Sequence, residues 1–304
     1  MLRHEIAGSG IEVSRVGLGT NNFGRRIDLA QTRRVIDAAL DAGIDFLDTA
    51  DMYGDGDSER FIGEALAGRR ERVVIATKFG YHAGGSAATV RESIDASLAR
   101  LRTDYVDLYY YHRPDRVTPL EETLGALDEL VREGKARAIA SSNLSAVQIE
   151  HAERISRERG ISRFVAVQNS YSLLDRAVEA DVLPLCERLG LGFVPYFPLA
   201  HGLLTGKYRQ GEAAPAGTRL TDRSDLLNDA PFEVIERLES WARDHSRSLL
   251  ELAIAYPASQ PAVVSVIAGA TRPEQVKANA AAGEWQLTEA ELAEVAVLAA
   301  GAAR

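Results

Sequence analysis

This chain of 304 residues has little cysteine, no long apolar run and no leader-like N-terminus. Its single cysteine, Cys186, excludes an intrachain disulfide. The longest nearly apolar stretch, 189–200, is much shorter than the roughly 18 to 20 residues that a membrane span requires, and it is interrupted by prolines. Residues 1–10 hold charged side chains and no apolar h-region, so no secretory signal is predicted. These absences favour a cytoplasmic protein.

Positive charge is also scarce, because 35 Lys and Arg face 44 Asp and Glu, a formal net charge of −9. Such a balance repels nucleic acid and anionic membranes in general, although it is compatible with a local basic pocket. With 46% hydrophobic and 26% charged residues, the composition is that of a globular protein with a large core. We expect one domain over residues 1–304, because α/β barrels use about 250 residues as a single unit. The sequence leaves the oligomeric state open.

Short apolar runs alternate with helix-like periodicity at a spacing of roughly 30 residues. Strands are predicted at 16–19, 44–48, 73–77, 106–111, 136–140, 164–168, 191–195 and 263–267. Helices are predicted at 28–42, 58–67, 86–102, 118–132, 144–158 and 177–188. Because these strands are continuous apolar runs rather than polar alternations, they indicate a closed parallel sheet covered by helices, the (β/α)8 TIM barrel of the α/β class.

Three additions to a minimal barrel are predicted. Residues 3–13 read as a β-hairpin that plugs the closed end of the barrel. A long segment after the seventh strand, 197–230, has no clear periodicity and is typical of a functional loop. Extra C-terminal helices are indicated at 231–245, 248–258 and 288–302, the last with Thr288 as its N-cap.

Four polar side chains lie at or just beyond the ends of three consecutive predicted strands: Asp48, Tyr53, Lys78 and His112. The carboxyl ends of barrel strands form the rim where such folds carry their chemistry. A free tyrosine, with a pKa of about 10, is a poor acid at neutral pH. A neighbouring ammonium would lower that pKa, a carboxylate would orient the ammonium, and an imidazole could donate a hydrogen bond to a carbonyl oxygen. Taken singly, each residue also has a structural interpretation, such as a turn cap or a rim salt bridge.

The segments around these residues resemble the catalytic stretches of the aldo-keto reductase superfamily. The similar segments are 48–54, 77–80 and 111–115, supported by 17–20, 141–145, 198–207 and 269–279. The resemblance implies reversible NADPH-dependent reduction of an aldehyde or ketone. It also implies that Tyr53 is the general acid and base, that Lys78 and Asp48 tune it, and that His112 positions the substrate.

The sequence has no G-x-G-x-x-G turn opening a helix ahead of an acidic residue, so a Rossmann domain is not predicted. The resemblance instead implies a dinucleotide that lies across the barrel mouth, where Tyr196 stacks on the nicotinamide and Arg272 favours NADPH over NADH. NADH binding is less favoured but stays open. The implied cofactor contacts are Gly19, Thr20, Asp48, Ser142, Asn143, Gln168, Tyr196, Pro198, Leu199, Gly202, Leu204, Lys207, Gly269, Thr271, Arg272, Gln275 and Asn279.

Three residues depart from the common family pattern. Phe197 replaces a serine of the pyrophosphate region, Ala268 replaces a proline, and Ala278 replaces a glutamate before Asn279. Lys207 also has the alternative interpretation of a solvated loop lysine.

The sequence leaves two other functions open. A metal site could use Asp48, Asp51 and His112, although no metal is predicted because later strands add no carboxylate and histidine cluster. The second alternative function is a cofactor-bound redox sensor that resembles potassium-channel β subunits. The substrate stays open, with an apolar wall expected from Phe23, Tyr81 and Tyr110.

Overall fold

The computed structural model describes residues 1–215, 217–218, 220–221 and 224–301. Its eight-stranded parallel sheet and surrounding helices confirm the (β/α)8 barrel of the α/β class. The strands are β1 (Arg3–Glu5), β2 (Glu12–Ser14), β3 (Val16–Gly19), β4 (Phe46–Asp48), β5 (Val74–Phe79), β6 (Val106–Tyr111), β7 (Ala136–Ser142), β8 (Phe164–Gln168), β9 (Gly192–Phe193) and β10 (Val266–Gly269).

The helices follow the predicted alternation. They are α1 (Leu29–Asp41), α2 (Asp57–Ala65), α3 (Ala87–Leu101), α4 (Leu120–Arg132), α5 (Ala146–Arg159), α6 (Val182–Leu189), α7 (Ser224–Asn228), α8 (Phe232–Asp244), α9 (Leu249–Ala258), α10 (Pro273–Ala282) and α11 (Glu289–Leu298). Capping residues explain several of their starts. Thr288 caps α11 as predicted, and its side chain accepts a hydrogen bond from the backbone of Glu291.

The sheet order is β10-β3-β4-β5-β6-β7-β8-β9, with all neighbours parallel. The ring closes between β9 and β10 through isolated bridges rather than a full ladder. In that closure the Phe193 amide donates to the Ala262 carbonyl at 2.7 Å, and the Ile267 amide donates to the Pro195 carbonyl at 2.9 Å. The strand predicted at 191–195 is thus only two residues long, because the following chain leaves the ladder at Pro195.

The N-terminal hairpin forms the predicted plug. β1 and β2 pair antiparallel, and Ile6, Ile11 and Val13 are buried in one apolar cluster with inward-facing barrel residues such as Phe46 and Leu108. A second, larger cluster fills the space between the strands and the outer helices. Both faces of the sheet are therefore buried, which is why its strands read as continuous apolar runs.

Segment 197–230 is partly helical, contrary to its featureless sequence. It contains a 3₁₀ segment, Ala200–Thr205, and α7, while residues 216, 219, 222 and 223 lie outside the described part. The predicted helix 177–188 is a 3₁₀ turn, Ala177–Glu179, followed by α6. The predicted end of the last helix at residue 302 also lies outside the described residues. No helix of the described chain is long and apolar enough to cross a membrane.

Candidate active site

Three strand ends carry the polar side chains of the barrel rim. Asp48 is the last residue of β4, Lys78 lies one residue before the end of β5, and His112 directly follows β6. Parallel pairing sets their relative heights, because Asp48 is in register with Ala76, and Lys78 with Tyr110. The three side chains therefore meet at the carboxyl ends of neighbouring strands, as the sequence predicts.

Asp48 and Lys78 form a buried ion pair. The Lys78 Nζ lies 2.6 Å from Asp48 Oδ2 and also donates to the Thr49 carbonyl at 2.7 Å. The other carboxylate oxygen of Asp48 accepts from Gln168 Nε2 at 2.9 Å. Burial lowers the pKa of Lys78, and the Asp48 carboxylate opposes that shift. A buried pair with these extra hydrogen bonds is fixed in position, since either partner alone would be left uncompensated.

Tyr53 stands over this pair on a short 3₁₀ turn, Tyr53–Gly56, that follows β4. Its ring centroid is 5.3 Å from Lys78 Nζ and 6.1 Å from the centroid of the His112 ring. The phenol, the ammonium and the imidazole thus share one small volume at the bottom of a cleft.

The expected lowering of the Tyr53 pKa by Lys78 is wrong. Burial raises the pKa of Tyr53 well above its usual value, and the charges of Asp48 and Asp51 add to the rise. The Lys78 ammonium donates to Asp48 and Thr49, and burial together with the carboxylates outweighs its effect on the pKa of the phenol. Tyr53 is therefore protonated at neutral pH, which is the form that can give a proton.

His112 is held as a neutral imidazole. Burial lowers its pKa to about 3, with smaller contributions from Lys78 and His82. Its Nδ1 is buried and has no hydrogen-bond partner in the described structure. A neutral ring keeps one N–H to donate and carries no charge that would oppose Lys78.

Asp51 is a half-buried residue close to Tyr53, with one buried carboxyl oxygen. Its Oδ1 has no hydrogen-bond partner among the described residues, and burial together with Glu59 raises its pKa to about 6. Glu59 itself is fully buried and paired with Arg100 at 2.6 Å. The carboxyl of Asp51 is thus the less compensated of the two.

Asn143 organises the opposite side of the cleft. Its Nδ2 donates to the His112 carbonyl and to Ser142 Oγ, each at 3.0 Å, and its Oδ1 accepts from the Tyr196 hydroxyl at 2.7 Å. Ser142 in turn donates to the Gln168 carbonyl at 2.7 Å. The bond from its hydroxyl to Asn143 anchors the Tyr196 ring at the cleft, where a flat group could stack on it. Both amide protons of Asn143 are used within the protein.

One cleft of about 600 Å³ joins these groups. It is lined by all the predicted cofactor contacts except two, Leu204 and Asn279. The Leu204 side chain is fully buried in the outer core, and Asn279 is buried on α10. Lys78 is fully buried and does not line the cleft.

Two of the cations that line the cleft are Arg272 and Lys207. Arg272 is the exposed N-cap residue of α10, beside Thr271, whose amide donates to Gln275 Oε1 at 2.8 Å. Lys207 is exposed, with its Nζ 5.1 Å from the Tyr208 ring centroid. Nearby Gly202 has a φ of 101°, which residues with a side chain rarely adopt, so backbone can approach a ligand closely there. An exposed arginine at a helix start and an exposed lysine on a nearby loop fit the phosphates of a dinucleotide.

Sequence reasoning missed several lining residues, among them Asn21, Asn22, Arg26 and Arg113. Their positions directly after β3 and after His112 were the available signal, since loops at this end of a barrel form its mouth. The expected apolar wall is only partly correct. Tyr81 lines the cleft, whereas Phe23 and Tyr110 are fully buried beneath it.

The described residues contain no group of three or more His, Cys, Asp or Glu side chains that could hold a metal ion. Both oxygens of Asp48 are already bonded within the protein, to Lys78 and Gln168.

This barrel with its acid, phenol, amine and imidazole matches a known class. Residues 15–300 fit the model of the aldo/keto reductase family. The chain therefore belongs to that family, which confirms the resemblance and supports an oxidoreductase acting on small carbonyl compounds.

Particular relatives carry different names. The chain is 37% identical over 288 residues to a probable voltage-gated potassium channel subunit beta of Oryza sativa subsp. japonica, covering 89% of this chain and 88% of the relative. It is 36% identical to an uncharacterised oxidoreductase of Bacillus subtilis, over 92% of this chain and 90% of the relative. It is also 36% identical to a probable aldo-keto reductase of Glycine max, over 96% of this chain and 87% of the relative.

Proposed function

We propose that this protein reduces an aldehyde or ketone to the alcohol with NADPH, reversibly, and that Tyr53 transfers the proton. When bound, the nicotinamide supplies the hydride to the carbonyl carbon. The observation that carries the proposal is the buried Asp48–Lys78 pair beneath a protonated Tyr53, with neutral His112 beside it.

Each side chain has a distinct task in this mechanism. Tyr53 gives its proton to the carbonyl oxygen as that oxygen gains negative charge, and takes it back in the reverse direction. Lys78 stabilises the phenolate that this transfer leaves, because its ammonium is held nearby by Asp48. His112 donates an N–H to the carbonyl oxygen and so orients it. Burial raises the pKa of Tyr53, so the proton is present at neutral pH but is held tightly, and its transfer depends on Lys78 and His112.

The same reasoning assigns the cofactor contacts. Tyr196 would stack on the nicotinamide, with Ser142, Asn143 and Gln168 at its carboxamide, and Lys207 would bind the pyrophosphate. Arg272 would bind the 2′-phosphate that distinguishes NADPH from NADH. We further infer that residues 1–304 act as one domain.

The first test is a titration of purified protein with NADPH and NADH, followed by quenching of intrinsic fluorescence. We expect tighter binding of NADPH, and a loss of about tenfold in NADPH affinity in Arg272→Gln with little change for NADH. Lys277→Gln is the matched control, because Lys277 is exposed on the same helix but does not line the cleft. Binding of neither nucleotide would overturn the proposal.

A second candidate function is a cofactor-bound redox sensor or regulatory subunit. The names of two relatives favour it, since the rice protein and a relative from Arabidopsis thaliana, 36% identical, are both called probable voltage-gated potassium channel subunit beta. Slow turnover on every carbonyl compound tested, together with a stable protein partner, would favour this function over that of a metabolic reductase.

A further inference from the structure

The described lining of the cleft is strongly cationic on a chain that is acidic overall. Its charged side chains are Arg26, Asp48, Arg113, Lys207 and Arg272. The one carboxylate among them, Asp48, is neutralised by Lys78 behind the wall. Under the proposed function, the phosphates of the cofactor account for Lys207 and Arg272. Arg26 and Arg113 remain without an assigned anion.

Arg113 lies on the substrate side of the cleft. It directly follows His112, and its guanidinium carbon is 5.7 Å from the centroid of the Tyr81 ring. That ring is 4.9 Å from the His112 ring and 37% exposed. The guanidinium, the phenol and the imidazole therefore form one wall, with the cation one aromatic ring away from the group proposed to orient the carbonyl oxygen.

No carboxylate of the described residues lies within 4.0 Å of the Arg113 guanidinium. The nearest acidic residue in sequence, Asp115, is fully engaged elsewhere. It accepts from the amides of Gly85, Val117 and Thr118, at 2.7, 2.8 and 2.6 Å. Most other arginines of known position form ion pairs on the surface, Arg102 and Arg137 among them.

The loop that carries Arg113 is also well fixed. The Asp115 amide donates to the Tyr111 hydroxyl at 2.8 Å, and the bonds of its carboxylate tie the loop to the segment before α3. An exposed cation on a fixed loop, stacked on an aromatic ring, is suited to bind a planar or tetrahedral anion with two N–H donors.

We propose that the preferred substrates are carbonyl compounds that also carry an anionic group, a carboxylate or a phosphate ester, and that Arg113 binds this group. Tyr81 would cover the part of the substrate between the anion and the carbonyl. This inference rests on the proposed function, and it adds the substrate class.

The test compares two substrate pairs with NADPH. 4-Carboxybenzaldehyde is set against methyl 4-formylbenzoate, and glyceraldehyde 3-phosphate against glyceraldehyde. For each pair the ratio of kcat/KM, anionic over neutral, is measured in the wild-type protein and in Arg113→Gln. Arg116→Gln is the matched control, because Arg116 is exposed on the same loop and does not line the cleft.

We expect the ratio for at least one pair to fall by about tenfold in Arg113→Gln, through a higher KM of the anionic member, and to stay unchanged in Arg116→Gln. The pair that responds identifies carboxylate or phosphate. If both ratios stay unchanged while the neutral aldehydes are reduced, the substrate class is wrong and the reductase function stands. If NADPH binds but none of the four compounds is reduced, both proposals are overturned.

Discussion

The two sides of this cleft are built differently. On the side of β4 to β6, Asp48 and Lys78 are buried strand residues whose polar atoms are bonded within the protein. On the other side, Lys207 is exposed and follows the irregular backbone of residues 197–205, where Phe197, Ala200 and His201 have positive φ. The groups proposed for proton transfer are thus held in place by the protein itself, whereas the proposed phosphate contact Lys207 is an exposed side chain on irregular backbone.

Removal of the buried ammonium should have the largest effect. Lys78→Met leaves the Asp48 carboxylate buried without its cation, so we expect a loss of about 3–5 kcal/mol in the free energy of unfolding. Asp48→Asn combined with Lys78→Met should recover most of it, because no charge is then left buried. Urea denaturation measures both. A single variant as stable as the double would show that the pair is not structurally coupled.

The loop side should respond in the opposite way. Lys207→Met removes an exposed cation, so the free energy of unfolding should change by less than about 0.5 kcal/mol. The dissociation constant of NADPH should rise by a few-fold, and the effect should shrink at high salt because the charge is solvent-exposed. Fluorescence titration at two salt concentrations measures it, with Lys277→Met as control. An unchanged NADPH affinity of Lys207→Met at low salt would show that Lys207 is a solvated loop lysine and not a phosphate contact.

Asp51 offers a smaller effect with a defined pH dependence. Its pKa is raised from 3.8 to about 6. Between these pH values the folded state therefore binds more protons than the unfolded state. Stability contributed at this position is therefore lost as the pH rises through about 6. Asp51→Asn should raise the melting temperature by about 2–4 °C at pH 7 and leave it unchanged near pH 4.

The control for that measurement is Asp55→Asn, an exposed residue on the same turn. Asn tolerates its positive φ of 55° at least as well as Asp. Equal changes of the melting temperature in the two variants, or the same gain at both pH values, would show that the pKa of Asp51 is not raised in the folded state.

The same contrast explains which parts of the structure could be predicted from the sequence. Apolar runs predict the strand ends, so Asp48, Lys78 and His112 were placed on one rim without any structure. Strand β5 runs to Phe79 rather than residue 77, because pairing with Tyr110 and Tyr111 extends it, and no local pattern reports such pairing. The 3₁₀ segment after Leu199 was not predicted, since its non-glycine residues with positive φ leave no periodicity.

The direction of the Tyr53 pKa shift could not be predicted from the sequence for a related reason. The types of the neighbouring residues were predicted correctly, yet the direction depends on which of them faces the phenol. Lys78 turns its donors to Asp48 and Thr49, and burial then dominates. Likewise, only the tertiary structure shows that Leu204 and Asn279 are buried away from the cleft lining.

The most direct test of the central claim is Tyr53→Phe, assayed for NADPH oxidation with an aldehyde and for NADPH binding. This change removes the proton donor and leaves the aromatic packing and the Asp48–Lys78 pair in place. We expect kcat to fall by about 10²–10⁴-fold with the dissociation constant of NADPH unchanged. A variant that keeps its kcat would contradict the assignment of proton transfer to Tyr53.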